Sequence, residues 1–400
     1  MCRNYPRFFS IKTFALMLYY ILAGEASGDL HASRLMGALK IHDPQARFVF
    51  LGGDLMESIA GSRPIVHYRD MAFMGFSEVL RNLGTVRHNL RMAKAVITAA
   101  KPDAVIAVDY PSFNLKVAAE AHRAGIPVFY FISPKIWAWK SWRVKDIRRT
   151  VEQVYSILPF EPDFYARHHF HSIYVGNPSV GEVDEALATA PSREEFLKRH
   201  RLRDRRMIAL LPGSRVSEIR NNLPIMIKAV HPFVQCRPVI VGAPGIDDSL
   251  YKEYGATVDC PVIREAESAH ILVHSHAALV TSGTATLETA LAGIPQVVCY
   301  RSNGSRVSYE VMKRILNVDY VSLPNLIADA PVVPEMLLHQ CTPALIADRL
   351  APLIADSPTR AAQLEGYAKI RRILGTQDAA EATAADITKR LFNFKAAKNV

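Results

Sequence analysis

The chain has 400 residues, half of them hydrophobic, which is too long for one compact core and enough for two globular domains. Its formal net charge of +10 favours an anionic partner: nucleic acid, a phosphorylated substrate or an acidic membrane surface. The five cysteines are odd in number and include no CxxC pair, which argues against a disulfide framework or a structural zinc site and favours reduced thiols.

The N-terminus imitates a secretory signal, because the basic residues Arg3, Arg7 and Lys12 precede an apolar run at 14–23. Cleavage near Ala23 or Ala26 would remove the first predicted strand or cut the turn after it. We therefore interpret residues 1–16 as a non-native or disordered extension, with Met17 as the start. No segment supplies the roughly 20 uninterrupted apolar residues of a membrane span.

Residues 18–23 form a continuous apolar run, which predicts a strand buried on both faces of a parallel sheet. The sequence Gly-Glu-Ala-Ser-Gly-Asp at 24–29 ends this run, and helical spacing resumes after it. The turn between strand and helix is where ligands bind in an open α/β sheet. A plain connecting turn fits the spacing about as well, but two acids in one short turn, Glu25 and Asp29, favour a site.

Apolar runs of strand length alternate with helical patterns through both halves of the chain. The predicted strands after the first are 47–51, 103–108, 126–132, 151–158, 207–211, 238–241, 258–263, 277–280 and 296–299. This alternation predicts an α/β protein with two doubly wound domains that face each other across a cleft. We place these domains at 17–180 and 205–360, with a linker at 181–204 and C-terminal helices at 361–400 that pack back on the N-terminal domain.

Asp109 ends a buried strand of the first half. A carboxylate there can accept a proton from a hydroxyl nucleophile if its neighbours raise its pKa. Capping of the next helix explains an aspartate at this position about as well.

Two strand-to-helix turns of the second half suit phosphate binding. Residues 281–284 (Thr-Ser-Gly-Thr) open a helix whose free N–H groups and positive dipole end face outward, although ordinary capping requires only one of these hydroxyl residues. Arg215 follows Pro-Gly-Ser at the corresponding turn of an earlier unit, where a guanidinium can neutralise a departing diphosphate. Glu288, one turn into its helix, could reach a ribose hydroxyl.

Histidines at 168, 169 and 171, and at 270, 274 and 276, suggest a metal site at first sight. No cysteine or carboxylate stands at ligand spacing around them. We expect surface or core histidines, and no metal.

Eight motifs in a fixed order resemble the lipid-A-disaccharide synthases over about residues 17–390. They are GEASGD at 24–29, FMGFSEVL at 73–80, DYPSFN at 109–114, SPKIWAW at 133–139, LPFE at 158–161, LPGSR at 211–215, SGTATLE at 282–288 and DYVSLPN at 319–325. None is decisive alone, but the ordered set is highly specific.

The resemblance implies an inverting glycosyltransferase of the glycosyltransferase-B type, with two Rossmann-like domains and no cofactor. It would join UDP-2,3-diacylglucosamine to 2,3-diacylglucosamine 1-phosphate (lipid X), releasing UDP and a β(1→6) disaccharide for lipid A synthesis. The implied location is the cytoplasmic face of the inner membrane of a Gram-negative bacterium, on an anionic surface. No nucleic-acid partner is expected, and a homodimer is left open.

The family pattern makes Asp109 the candidate general base and lines the reacting cleft with Glu25 and Asn325. The implied substrate-binding residues are Ser27, Gly28, Asp29, Gly213, Ser214, Arg215, Ser282, Gly283, Thr284 and Glu288. The implied acyl or membrane contacts are Met71, Phe73, Met74, Phe76, Val79, Leu80 and Leu83. For this apolar stretch, packing in the core is the alternative.

Two other functions stay open at this point. A UDP-N-acetylglucosamine 2-epimerase has the same two-domain plan. A basic nucleic-acid-binding protein would also explain the charge, although no nucleic-acid motif supports it.

Overall fold

In the computed structural model, residues 16–71, 83–139, 141–265, 268–301 and 319–398 are described. They contain two parallel six-stranded sheets, one in each half of the chain. Alternating strands and helices confirm the predicted α/β class with two Rossmann-like domains.

The first sheet has the strand order β2-β1-β3-β4-β5-β6. Its strands are β1 (Leu18–Ala23), β2 (Arg47–Leu51), β3 (Ala104–Val108), β4 (Val128–Phe131), β5 (Gln153–Ser156) and β6 (Ser172–Tyr174). The helices described in this half are α1 (Ala26–His42), α2 (Asp54–Ala60), α3 (Leu83–Ala100), α4 (Pro111–Arg123), α5 (Ile136–Trp139), α6 (Val144–Thr150) and α7 (Glu161–Arg167).

The second sheet has the order β12-β11-β10-β7-β8-β9. Its strands are β7 (Arg206–Leu211), β8 (Cys236–Val241), β9 (Val262–Ile263), β10 (Ser275–Thr281), β11 (Gln296–Tyr300) and β12 (Glu335–Leu337). The helices described between these strands are α10 (Val216–Val230), α11 (Asp248–Glu253), α12 (Ala269–Leu272), α13 (Thr284–Leu291) and α14 (Leu323–Ala328).

The strand order reverses once in each sheet, between β1 and β3 in the first and between β7 and β10 in the second. Connections leave these strand pairs toward opposite sides, so a crevice opens at the carboxyl ends of the strands. All four polar strand-to-helix turns that the sequence singles out follow these four strands.

The predicted linker is largely helical. Helix α8 (Pro178–Thr189) begins at Asn177, whose side chain accepts a hydrogen bond from the Ser179 backbone N–H. Helix α9 (Arg193–Arg199) begins with a capping box between Ser192 and Glu195, which satisfies two N–H groups reciprocally.

Three further helices end the chain: α15 (Pro343–Ile354), α16 (Pro358–Leu374) and α17 (Ala379–Lys398). Apolar residues of α17, including Ala384 and Ile387, are buried in the same core as strand β1. The Tyr155 hydroxyl of the first sheet donates a 2.9 Å hydrogen bond to the Asp386 carboxylate of α17. The last helix therefore packs on the N-terminal sheet.

One apolar core continues from the first half into the second. It joins Val180 and Val183 of α8 to Leu287 of α13 and to Tyr367 and Ile370 of α16. The two sheets are thus connected by packed helices as well as by the chain itself.

Candidate functional site

The turn after β1 depends on the absence of a side chain at Gly24. A Cβ there would lie 2.4 Å from Cδ1 of Tyr110, so the tyrosine ring occupies the space that any other residue would need. Glu25 follows as the N-cap of α1 in extended conformation, and its side chain does not cap the helix. The carboxylate is therefore available to the cleft, which it lines together with Ser27.

The turn after β3 is strained. Asp109 and Tyr110 have φ angles of 43° and 47°, in the left-handed region that non-glycine residues seldom adopt. The Asp109 carbonyl accepts hydrogen bonds from the buried side chains of Asn114, at 2.8 Å, and Tyr130, at 2.6 Å. These two donors hold the turn in a conformation that directs the Asp109 side chain into the cleft lining.

Burial raises the pKa values of both cleft carboxylates. For Asp109, burial is opposed chiefly by the positive charge of Lys135. For Glu25, burial and the nearby Asp109 raise the pKa, while Arg215 and Lys135 lower it. A carboxylate with a raised pKa is a better proton acceptor, as a general base requires.

In the second half, Gly213, with φ of 117°, lets the chain turn sharply after β7. The Ser214 backbone N–H donates a 3.0 Å hydrogen bond to Glu218, and the Arg215 guanidinium lies 3.5 Å from the same carboxylate. A negatively charged group thus already sits against this turn at the N-terminus of α10, as the helix dipole favours.

The turn after β10 has a similar form. Gly283 adopts a φ of 152°, and its carbonyl accepts a 2.7 Å hydrogen bond from the Thr286 hydroxyl. Helix α13 begins at the next residue. Ser282 before the helix, Thr284 at its first position and Glu288 one turn later all line the cleft. The Glu288 carboxylate accepts a 3.1 Å hydrogen bond from Ser268, another cleft residue.

These four turns line one cleft of about 710 Å³ between the two sheets. Asp109 and Glu25 lie on the first-half wall, and Arg215 and the 282–284 turn lie on the second-half wall. The positive charge of Arg215, on the far wall, lowers the pKa of Glu25, which burial and Asp109 raise.

Asp29 and Gly28 do not line this cleft. Asp29 is buried, and its carboxylate accepts hydrogen bonds from the backbone N–H groups of Gly53, Leu55 and Met56, at 2.7 to 3.2 Å. It satisfies the free donors at the start of α2. Gly28 is buried against Ala23. Substrate binding by these two residues stays a prediction from the family pattern.

Asn325 is also buried away from the cleft lining. Its side chain exchanges hydrogen bonds with the Val333 backbone, at 2.8 and 2.9 Å, and donates another to Glu335 at 2.9 Å. The same Glu335 carboxylate accepts from Ser322. These contacts support the loop beside Ser282, whose hydroxyl donates to the Val321 carbonyl at 3.4 Å. The expected place of Asn325 in the reacting cleft stays a prediction.

Most of the expected acyl or membrane contacts, Phe73, Met74, Phe76, Val79 and Leu80, lie outside the described residues. Met71 is 3% exposed and belongs to the apolar core that continues from the first half into the second. Its carbonyl accepts a hydrogen bond from the Tyr110 hydroxyl. Leu83 is the first residue of α3. Among the described helices, none is long and apolar enough to cross a bilayer.

Three charged residues of the cleft were not predicted from the sequence: Lys135, Arg143 and Glu218. Lys135 lies within the SPKIWAW motif, and Arg143 follows that motif in an aromatic and basic stretch. Both positions in the sequence could therefore have indicated a role at the site. Glu218 lies at an ordinary helix start, where an acid is common without any function.

A sequence model of the lipid-A-disaccharide synthetase family matches residues 19–387. The chain belongs to this family. The lipid-A-disaccharide synthase of Syntrophus aciditrophicus is 38% identical over 92% of this chain and 96% of its own. The lipid-A-disaccharide synthase of Myxococcus xanthus is 36% identical over 93% of this chain and 97% of its own. The predicted family is confirmed, and the protein is a glycosyltransferase of lipid A synthesis.

Solved structures resemble this synthase in fold. A UDP-GlcNAc 2-epimerase from Neisseria meningitidis, bound to UDP-GlcNAc, has a TM-score of 0.64 at 13% identity and covers 94% of this chain and 100% of its own. MurG from Acinetobacter baumannii has a TM-score of 0.55 at 13% identity, with coverage of 93% and 99%. The epimerase hypothesis therefore rests on the shared fold alone, whereas the sequence belongs to the synthase family.

Proposed function

We propose that the cleft joins UDP-2,3-diacylglucosamine to 2,3-diacylglucosamine 1-phosphate with inversion, and that the second-half wall holds the donor. The observation that carries this proposal is that Asp109 and Arg215 line one cleft from opposite walls. Donor and acceptor can then meet between a base and a cation.

Donor binding follows from the two second-half turns. Helices α10 and α13 begin at these turns, and their N-termini favour a negatively charged group. The diphosphate of the donor would displace the Glu218 carboxylate from the Ser214 N–H and take Arg215 as its counter-charge. Glu288 is near enough to the second turn to accept a hydrogen bond from the ribose.

Asp109 acts as the general base. Its carboxylate takes the proton of the acceptor 6-hydroxyl as the hydroxyl oxygen attacks the anomeric carbon of the donor. The bond from that carbon to the diphosphate oxygen breaks, and UDP leaves with the bonding electrons. Arg215 and the helix N-termini stabilise the charge that develops on the leaving group. Attack from the opposite face gives the β linkage.

A peripheral position on the cytoplasmic face of an anionic inner membrane belongs to the same proposal. The net charge of +10 suits that surface, and the Met- and Phe-containing stretch 72–83 supplies apolar side chains for acylated substrates.

Product analysis with the purified lipids tests the proposal. Mass spectrometry should find a tetraacyl disaccharide 1-phosphate and one UDP for each disaccharide. A nucleotide sugar that is still joined to UDP but has the inverted configuration at C2 would support the epimerase instead. Recovery of both lipids unchanged would refute either activity.

A further inference from the structure

The segment between β4 and α5 displays Lys135 in the cleft on a strained backbone. Ile132, directly after β4, is 7% exposed and has a φ of 64°. A β-branched residue in the left-handed region is an outlier that persists only where the surrounding structure imposes it. Ser133 and Pro134 follow, and Lys135 then lies exposed in the cleft lining.

Two of the family motifs interlock to fix this segment. The Trp137 indole N–H donates a 3.0 Å hydrogen bond to the fully buried Glu161, which also accepts from the Leu158 backbone at 3.1 Å. Burial raises the pKa of Glu161 to about 7. The Ser133 and Tyr165 hydroxyls share a further hydrogen bond of 2.9 Å. Hydrogen bonds thus fix Ser133 before Lys135 and Trp137 after it.

Arg143 lies on the same wall. Its guanidinium donates a 3.1 Å hydrogen bond to the Ser112 hydroxyl, near the start of α4 and three residues after Asp109. It also lies over the Trp142 ring, 5.5 Å from the centroid. Because the Ser112 hydroxyl is neutral, this contact orients the guanidinium without cancelling its charge.

The cleft therefore has cations on both walls. Arg215 and two helix N-termini on the second-half wall suffice for a diphosphate. Lys135 and Arg143 stand on the opposite wall beside Asp109, where the hydroxyl nucleophile must enter. In the part of the chain that the structure describes, neither the Lys135 ammonium nor the Arg143 guanidinium lies within 4.0 Å of a carboxylate oxygen. An anionic group on the acceptor could therefore form ion pairs with both side chains.

We propose that Lys135 and Arg143 form the receptor for the phosphate of the acceptor sugar, and so select a phosphorylated acceptor. This inference rests on the proposed function, because it assigns the phosphomonoester of that acceptor to the first-half wall. Arg143 would bind two phosphate oxygens with its planar fork, and Lys135 would add a single point charge.

The test compares 2,3-diacylglucosamine 1-phosphate with 2,3-diacylglucosamine as acceptors, at a pH where Asp109 is ionised. Lys135→Met and Arg143→Met should each raise KM for the phosphorylated acceptor by about tenfold or more, the usual effect of losing a charge-assisted hydrogen bond. KM for the unphosphorylated acceptor and for the donor should stay unchanged. Arg148→Met removes an exposed charge of α6 outside the cleft and should change neither KM.

Equal losses with both acceptors would overturn the inference, since Lys135 would then act only on the charge of Asp109. A raised donor KM would do so as well, because the cations would then belong to the diphosphate. Lys135→Arg keeps the charge and should keep the preference for the phosphorylated acceptor. If the unsubstituted enzyme makes no disaccharide from either acceptor, the proposed function itself fails, and this receptor fails with it.

Discussion

Asp109 and Arg215 lie on opposite walls of one cleft, each in the turn that follows a strand where the order of its own sheet reverses. The base candidate and the cation candidate thus occupy equivalent positions in two similar domains. Glu25, beside Asp109, is close enough to Arg215 for the guanidinium to lower its pKa. Substitution of Asp109 should therefore affect turnover, whereas substitution of Arg215 should affect donor binding.

Asp109→Asn should lower kcat by about 10²–10⁴-fold, the range for loss of a general base, while UDP affinity stays unchanged. Asparagine tolerates the left-handed backbone of this position, and removal of a buried charge should stabilise the fold at neutral pH. Calorimetric UDP binding, thermal unfolding and single-turnover assays measure the three effects. Asp163→Asn, on exposed α7 surface, serves as control; turnover of Asp109→Asn near that of the control would reject the base assignment.

The pH profile of kcat/KM should report the raised pKa of Asp109. The base is active when deprotonated, so activity should fall as the pH drops through a value above the ordinary 3.8 of aspartate. Because Lys135 lowers this pKa, Lys135→Met should move the acidic limb to higher pH. An unshifted limb would mean that another group controls it.

Arg215→Met should weaken UDP binding by about tenfold or more, since a guanidinium paired with a diphosphate is lost. Arg203→Met removes another exposed arginine, one outside the cleft lining, and should leave the affinity unchanged. Titration calorimetry with UDP compares the two variants. If Arg215→Met binds UDP as tightly as Arg203→Met, the donor is not held by this turn.

Gly24→Ala should destabilise the protein by about 1–3 kcal/mol, the usual cost of overpacking, because its Cβ would collide with Tyr110. Displacement of Tyr110 would also disturb Asp109, so activity should fall with stability. Gly37→Ala provides the matched control, because no atom lies within 4 Å of its Cβ in the middle of α1. It should stabilise the helix by roughly 0.5–1 kcal/mol. Urea unfolding of both variants measures the contrast.

Replacement of Phe73, Met74 and Phe76 by serine should move the protein from the membrane fraction to the soluble fraction. The reason is loss of the apolar side chains that we assign to acyl chains and the bilayer interface. Sedimentation with vesicles of anionic phospholipid measures the shift. Serine at Val234 and Val258, which are exposed elsewhere, is the control. Unchanged partition of the triple variant would favour core packing of this stretch.

Ten of the twelve strands in the described residues coincide with runs predicted from the sequence, within a few residues at each end. The two strands without a predicted counterpart, β6 and β12, are three residues long and lie at sheet edges. A run of three residues is too short to show the periodicity that distinguishes a strand from a loop. A central strand buried on both faces requires a continuous apolar run, whereas an edge strand does not.

The roles of Asp29 and Asn325 illustrate a second difference. Both stand in family motifs and were expected at the site, yet both are buried in hydrogen-bond networks that support neighbouring loops. Spacing along the chain cannot distinguish a polar side chain that faces a cleft from one that satisfies backbone groups behind it. Lys135 was missed for the converse reason, since a lysine in a loop is usually only a solvated surface residue.

The sequence alone determined the α/β class, the two repeats of alternating strand and helix, the synthase family and the four turns that carry polar residues. These properties depend on local periodicity and on the order of short motifs, which are visible along one dimension. Only the tertiary structure decided which polar groups share a cleft. That outcome depends on parallel pairing of strands distant in sequence and on helices α8, α13 and α16, whose common core joins the two domains.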